Sequence, residues 1–144
     1  MKKKLPFIIG ALLVTIFIFS NSLLDAVKST EQSDVIVDAV VNTAEAAGIS
    51  VARSGVEHFV RKCAHVLEFA AQGLFLTLCF DVPFKKRLWW VLPAGFLTAC
   101  TDECIQLFSN GRAGMIQDVF IDLSGTLAGF LAVFLFTRRK DVYK

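Results

Sequence analysis

Apolar residues gather into four long runs, over residues 5–24, 59–80, 88–108 and 116–136. Each is close to the roughly 20 residues a helix needs to cross a bilayer. Polar residues inside the runs are ordered. The second run carries Arg61, His65 and Glu68 in its first half, the third Asp102 and Glu103 near its end, and the fourth Asp118 and Asp122 near its start. At about 100° per residue, Arg61, His65, Glu68 and Gln72 fall on one helical face, as do Asp118, Asp122, Gly125 and Gly129. Asp102 and Gln106 share a third face, with Thr98 one turn deeper, while Glu103 points toward a neighbouring helix or the rim. This pattern predicts helices whose polar sides turn toward a common interior.

Residues 25–56 form the one long connection. Ser29 with Gln32 reads as a capping box. Asp34, Asp38, Asn42 and Glu45 then recur at helical spacing, with Val35, Ile36, Val40 and Val41 opposite and Gly48 as a stop signal. The spacing predicts an amphipathic helix over residues 30–47, lying on the surface or capping the bundle. Ser54 with Glu57 is a second capping box, so the second apolar helix is expected to begin ahead of its apolar run. Asn110-Gly111 marks a tight turn between the last two helices.

Composition fits this picture. The 144 residues are 55% hydrophobic and 19% charged, against about 45–50% and 25% in soluble domains. A soluble chain this short has too little interior to bury that much apolar surface. The net charge of +2 is modest and its basic residues are dispersed in short clusters, which argues against a nucleic-acid partner. Cys63, Cys79, Cys100 and Cys104 form no CxxC pair and are expected to act as small apolar fillers.

The basic clusters also predict orientation. Lys2, Lys3, Lys4, the Lys85, Lys86, Arg87 loop and the tail with Arg138, Arg139, Lys140 and Lys144 hold 10 of the 15 Lys and Arg residues. Lys28, Arg53, Arg61, Lys62 and Arg112 lie on the other side. The positive-inside rule then gives a single all-α domain over residues 1–144 with four transmembrane helices, both termini cytoplasmic and residues 25–56 external. The first run has the basic start of a signal peptide, but it is longer than the usual 7–15-residue apolar region, so a retained helix is expected.

On that topology the polar residues of all three later helices fall in the outer half. Five carboxylates (Glu68, Asp102, Glu103, Asp118, Asp122) meet three fixed cations (Arg61, Lys62, Arg112). Intramembrane charges are costly and usually functional, although a salt-bridge network that only locks helices is the competing reading. The candidate binding set is Arg61, Lys62, His65, Glu68, Asp102, Glu103, Gln106, Arg112, Asp118 and Asp122. His65, Glu68, Asp102 and Asp118 are the candidates for acid/base chemistry. His65 and the carboxylates offer metal donors, but no HExxH or other ordered ligand spacing appears, so no metal site is assigned. Gly125 and Gly129 make a GxxxG that reads as packing within the chain rather than dimerisation. Cofactor and oligomeric state stay open.

These residues resemble the VanZ-like family. The resemblance runs from Arg61-Lys62, His65 and Glu68-Phe69 through Asp102-Glu103, Gln106 and Phe108 to Gly111-Arg112, Asp118, Asp122, Gly125 and Gly129. Ser20 and Ser22 are similar to the serines that end the family's first helix. It spans residues 7–136, and residues 25–56 carry no matching motif. The resemblance implies a multi-pass protein of the bacterial cytoplasmic membrane, of the type first associated with teicoplanin (glycopeptide) resistance. Two functions follow. In one, the outer polar site binds an envelope lipid, a lipid-linked precursor or a lipoglycopeptide, with the arginines holding an oxyanion. In the alternative, an intramembrane enzyme acts on an envelope lipid by acid/base or metal-assisted chemistry.

Overall fold

Pro6 opens the first helix, where a missing backbone N–H costs nothing, and a run of Ile, Leu and Phe carries α1 over Leu5–Ser22. In all, the structure, a computed structural model, describes residues 4–24, 26–80, 82–112 and 114–142, with the side chains of 26–30, 32 and 138–142 outside that description. The described residues form α1, α2 (Ala26–Ala46), α3 (Arg53–Cys79), α4 (Phe84–Gln106) and α5 (Ile116–Val142), and no strand. α3 is the central helix, packed against each of the other four.

The connection between α1 and α3 is mostly helix, as its spacing predicts, but the start differs. α2 begins by Ala26, so Ser29 lies inside it rather than at its cap. The Ser29 and Gln32 side chains lie outside the described residues. The stop is as expected: Gly48 takes φ +75°. Its N–H donates to Glu45 O and that of Ile49 to Ala44 O, both at 2.9 Å. This paired closure uses the left-handed conformation that glycine adopts without a Cβ penalty. The second capping box is also displaced. α3 starts one residue before Ser54, with Ala52 at the cap and no side-chain cap bond. Glu57 instead accepts from Arg53 at 3.0 Å, and Arg53 reaches across to Asp34 at 2.8 Å and to Asp38. Hydrogen bonding to Asp38 and then Asp34 raises the Arg53 guanidinium above its ordinary value. A tertiary clamp between α2 and α3 has outcompeted a local cap.

The two ends of the bundle differ. At one end Lys4 donates to the Leu78 carbonyl (3.1 Å), and Arg87 donates to the carbonyls of Thr77 and Val82 (both 3.1 Å), closing the open end of α3. Phe84 packs there between Phe130 and Phe134 of α5. The basic residues 2, 3 and 144 lie outside the described residues. At the other end sit the polar residues of α3, α4 and α5.

Glycines set the spacing between helices. A Cβ on Gly125 would lie 2.5 Å from the Val66 carbonyl oxygen, and one on Gly129 would overlap the Ala70 carbonyl. From the facing side, Gly73 has no room for a Cβ against the Thr126 backbone, and Gly95 of α4 meets the Thr126 side chain at 2.6 Å. The GxxxG of α5 therefore packs within the chain, against α3, as its sequence context predicts.

Burial is inverted relative to a soluble protein. Among the described residues, nine buried apolar side chains are matched by nine buried polar or charged ones, while Leu12, Leu13, Ile16 and Phe17 of α1 and Trp89, Leu97, Leu135 and Phe136 of α4 and α5 are all more than half exposed. An apolar coat around a polar interior suits a hydrocarbon solvent. By length and composition, two helices among the described residues qualify to cross a membrane, Leu5–Ser22 and Ile116–Thr137. α3 and α4, also expected to span, are long enough but carry charges within them. The cysteines are free; Cys100 packs against the core as expected, but Cys63 and Cys104 are exposed rather than filling it.

Because the Gly129 contact is with backbone that cannot rotate away, Gly129→Ala is expected to cost about 1–3 kcal/mol. Thermal unfolding in detergent measures this, with Gly55→Ala as the control, since a Cβ there meets nothing within 4 Å. Equal stability of the two variants would contradict the close approach of α5 to α3.

Candidate functional site

The polar stripes converge at the end of the bundle opposite Lys4 and Arg87. From α3 come Arg61, Lys62, His65 and Glu68; from α4 Asp102, Glu103 and Gln106; from the turn Arg112; and from α5 Asp118 and Asp122. Every candidate binding residue lies in this region, tied to its neighbours or lining its cavities.

Asp102 is the most deeply held charge, fully buried in the bundle. Its Oδ1 accepts from Ser22 Oγ at 2.6 Å and its Oδ2 from Gln106 Nε2 at 2.8 Å. His65 Nδ1 lies 3.8 Å from Asp102 Oδ2, too far for a hydrogen bond. Glu68 accepts from Asn21 Nδ2 at 2.8 Å. Glu103, expected to point toward a neighbouring helix or the rim, does reach the start of α5, taking the Met115 N–H at 2.7 Å, but it is buried and also accepts from Gln106 at 3.4 Å, so it stays within the site. Lys62 pairs with Asp118, joining α3 to α5. Thus Glu68 and Asp102 are met by neutral donors, and among the described residues Lys62–Asp118 is the ion pair that joins α3 to α5.

One turn deeper, Gln72 donates to Thr15 at 2.8 Å and to Thr98 at 3.0 Å, linking α3 to α1 and α4. This accounts for the Thr98 and Gln72 positions that the helical faces singled out.

Above these residues lies a cavity of about 210 Å³, lined by Arg61, Lys62, Arg112, His58 and His65 together with Gln106 and Asp118. A smaller pocket of about 30 Å³ reaches inward between His65, Glu103 and Asp122. A third, of about 160 Å³, opens beside Asn21, Glu68 and Ile36 of α2. His65 borders all three. The Nε of Arg112 is buried and finds no hydrogen-bond partner among the described residues. Burial, and then the neighbouring Arg61, hold the Arg112 guanidinium below its ordinary value, against the opposing pull of Asp102, Glu68 and Glu103.

The family model described as VanZ/LLP1 matches residues 7–137. The chain belongs to the VanZ/LLP1 family. The match begins in α1 and ends in α5, so this VanZ-like domain takes in the whole site. No curated protein and no solved structure matches the chain. The apolar helices and the family together suggest a membrane protein.

Four participants escape the helical-face reading of this VanZ-like sequence. Asn21 and Ser22 end an apolar run, where they read as a small-residue stretch; the family resemblance marks Ser22, and Ser20, marked with it, only bonds its own helix at Ile16 O. Ser109 donates to the Ser22 carbonyl at 2.7 Å and anchors the turn. His58 extends the Arg61–His65–Glu68 spacing one step back and could have been found by it.

Lys62 and Asp118 are only partly exposed, so they should couple. A double-mutant cycle of Lys62→Met and Asp118→Asn is expected to give an interaction energy of about 0.5–3 kcal/mol in detergent unfolding. Additive losses would separate the two residues.

Proposed function

We propose that α1, α3, α4 and α5 cross a bacterial cytoplasmic membrane, with both termini inside, and that the outward polar end binds the anionic head group of an envelope lipid or lipid-linked precursor. The observation that carries the binding reading is Arg112, whose buried Nε lacks a partner among the described residues while its side chain lines a cavity shared with Arg61 and Lys62. A guanidinium fork pairs planar oxyanions in two hydrogen bonds, and a phosphate would supply the missing acceptor. The competing reading, a salt-bridge network that merely locks helices, is weakened because Glu68 and Asp102 are held by the neutral donors Asn21, Ser22 and Gln106 rather than by the arginines. The cavity suits a head group, while acyl chains would stay along the apolar coat.

The membrane reading is supported by the same asymmetry. Lys4 and Arg87 cluster at the end away from the site, as cytoplasmic basic residues would. α3 and α4 turn their charged residues inward or to their ends, and intramembrane charges are tolerated there. α2 would lie outside, against the outer end of α3.

Two experiments follow. In nanodiscs, phosphatidic acid should be retained over diacylglycerol with the same acyl chains, as read by native mass spectrometry. Arg112→Ala should weaken that retention about ten- to a hundredfold, the loss of a charge-assisted contact worth about 1.5–3 kcal/mol. Equal retention of the two lipids would reject a phosphate site. For topology, reporter fusions after Arg87 and after Tyr143 should read cytoplasmic and one near Ala44 external. An external signal after Arg87 would place the polar residues in different leaflets from those assigned.

A further inference from the structure

Beneath the arginine-lined cavity, His65, Asp102 and Asp122 come from three helices. Each offers one ligand atom, and these atoms lie within 4.8 Å of one another. His65 Nδ1 and Asp102 Oδ2 are 3.8 Å apart. Two donors on one zinc ion, with bonds of about 2.0–2.2 Å, lie about 3.4 Å apart in a tetrahedral site. Side-chain adjustments of about an ångström would therefore bring all three onto one ion.

Two further observations point to a ligand. Asp122 is 2% exposed, and its Oδ2 finds no hydrogen-bond partner among the described residues; nor does His65 Nδ1. Buried polar atoms are rarely left so, and two at one spot call for an acceptor of their lone pairs. The pocket of about 30 Å³ between His65, Glu103 and Asp122 adjoins them, with room for a water or an ion of similar size.

We propose that His65, Asp102 and Asp122 bind one divalent transition-metal ion, of the zinc class, at the floor of the outer cavity. Imidazole nitrogen with carboxylate oxygen favours such an ion over magnesium or calcium. Ser22 and Gln106 act as positioning residues: each donates to one oxygen of Asp102 and leaves a lone pair on it for the metal. Three protein ligands leave a coordination position open. This metal site stands whether or not the cavity above it takes a phosphate.

The test uses the full chain in detergent, stripped with EDTA, then loaded with Zn²⁺ and desalted. Elemental analysis should find about one zinc per chain. Asp122→Asn and His65→Ala should each lower zinc affinity at least about tenfold, since changes even outside the ligand shell cost that much. Asp122→Asn keeps the side-chain shape, so the fold can be verified by gel filtration. Should both variants aggregate, Co²⁺ added to the wild-type protein decides. A nitrogen- and oxygen-ligated low-coordinate visible spectrum supports the site. A thiolate charge-transfer band moves the metal to the cysteines and overturns it. Substoichiometric zinc in the wild type, or unchanged affinity in both folded variants, also overturns it. Arg112→Ala should keep its zinc while losing phosphatidic acid, which separates failure of the metal site from failure of the head-group reading.

Discussion

The polar end of this protein depends on how closely α5 can lie against α3. Gly125 and Gly129 bring the backbone of α5 onto the carbonyls of Val66 and Ala70, and Gly73 returns the contact from the other side. That closeness fixes α5 in both height and rotation. Asp118 is thereby carried to Lys62, and Asp122 to the level of His65 and Asp102. With larger residues at the seam the helices would separate by an ångström or more, a distance comparable to the difference between a made and a broken hydrogen bond. The glycines thus do for the site what the polar residues cannot do for themselves.

Held that close, the interior can tolerate unusual polarity. Buried carboxylates are costly unless their lone pairs are met. Asp102 is met by Ser22 and Gln106, Glu68 by Asn21 and Glu103 by the Met115 N–H. These donors come from α1, from α4 itself and from the start of the last helix segment, so the network is distributed around the bundle. Among the described residues, Lys62 and Asp118 complete it with a charged pair joining α3 to α5 at this end. Arg61, Arg112 and His65 line the cavity at this end.

Much of this could be read from the residues in order. The 3–4 spacing of Arg61, His65, Glu68 and Gln72, and of Asp118, Asp122, Gly125 and Gly129, carried the facing of α3 and α5, because helical periodicity is a local property. The helix of the long connection and its Gly48 stop were legible for the same reason. Positions decided by tertiary contact were not. Ser54 looks like a cap, yet Ala52 holds that position while Arg53 is drawn to Asp34 and Asp38. Asn21 and Ser22 sit at the end of an apolar run and reveal their role only when α4 and α3 arrive beside them. Cys63 and Cys104 are exposed because each lies about 200° round its helix from the polar face, of Arg61 and His65 in one case and of Asp102 and Gln106 in the other.

The site draws on residues from Asn21 to Asp122, spread over four helices. No subset of helices carries it, so the unfolded or half-assembled chain has nothing equivalent to offer a ligand. Mass action then works in one direction: a ligand that binds only the assembled bundle stabilises it by about 2.7 kcal/mol at a free concentration of 100 times its Kd. During synthesis α5 follows the other helices of the site and closes it, so occupancy would report that these helices have assembled. A protein with a charged interior and little apolar core would in this way be tied, in its persistence in the cell, to the supply of whatever it binds.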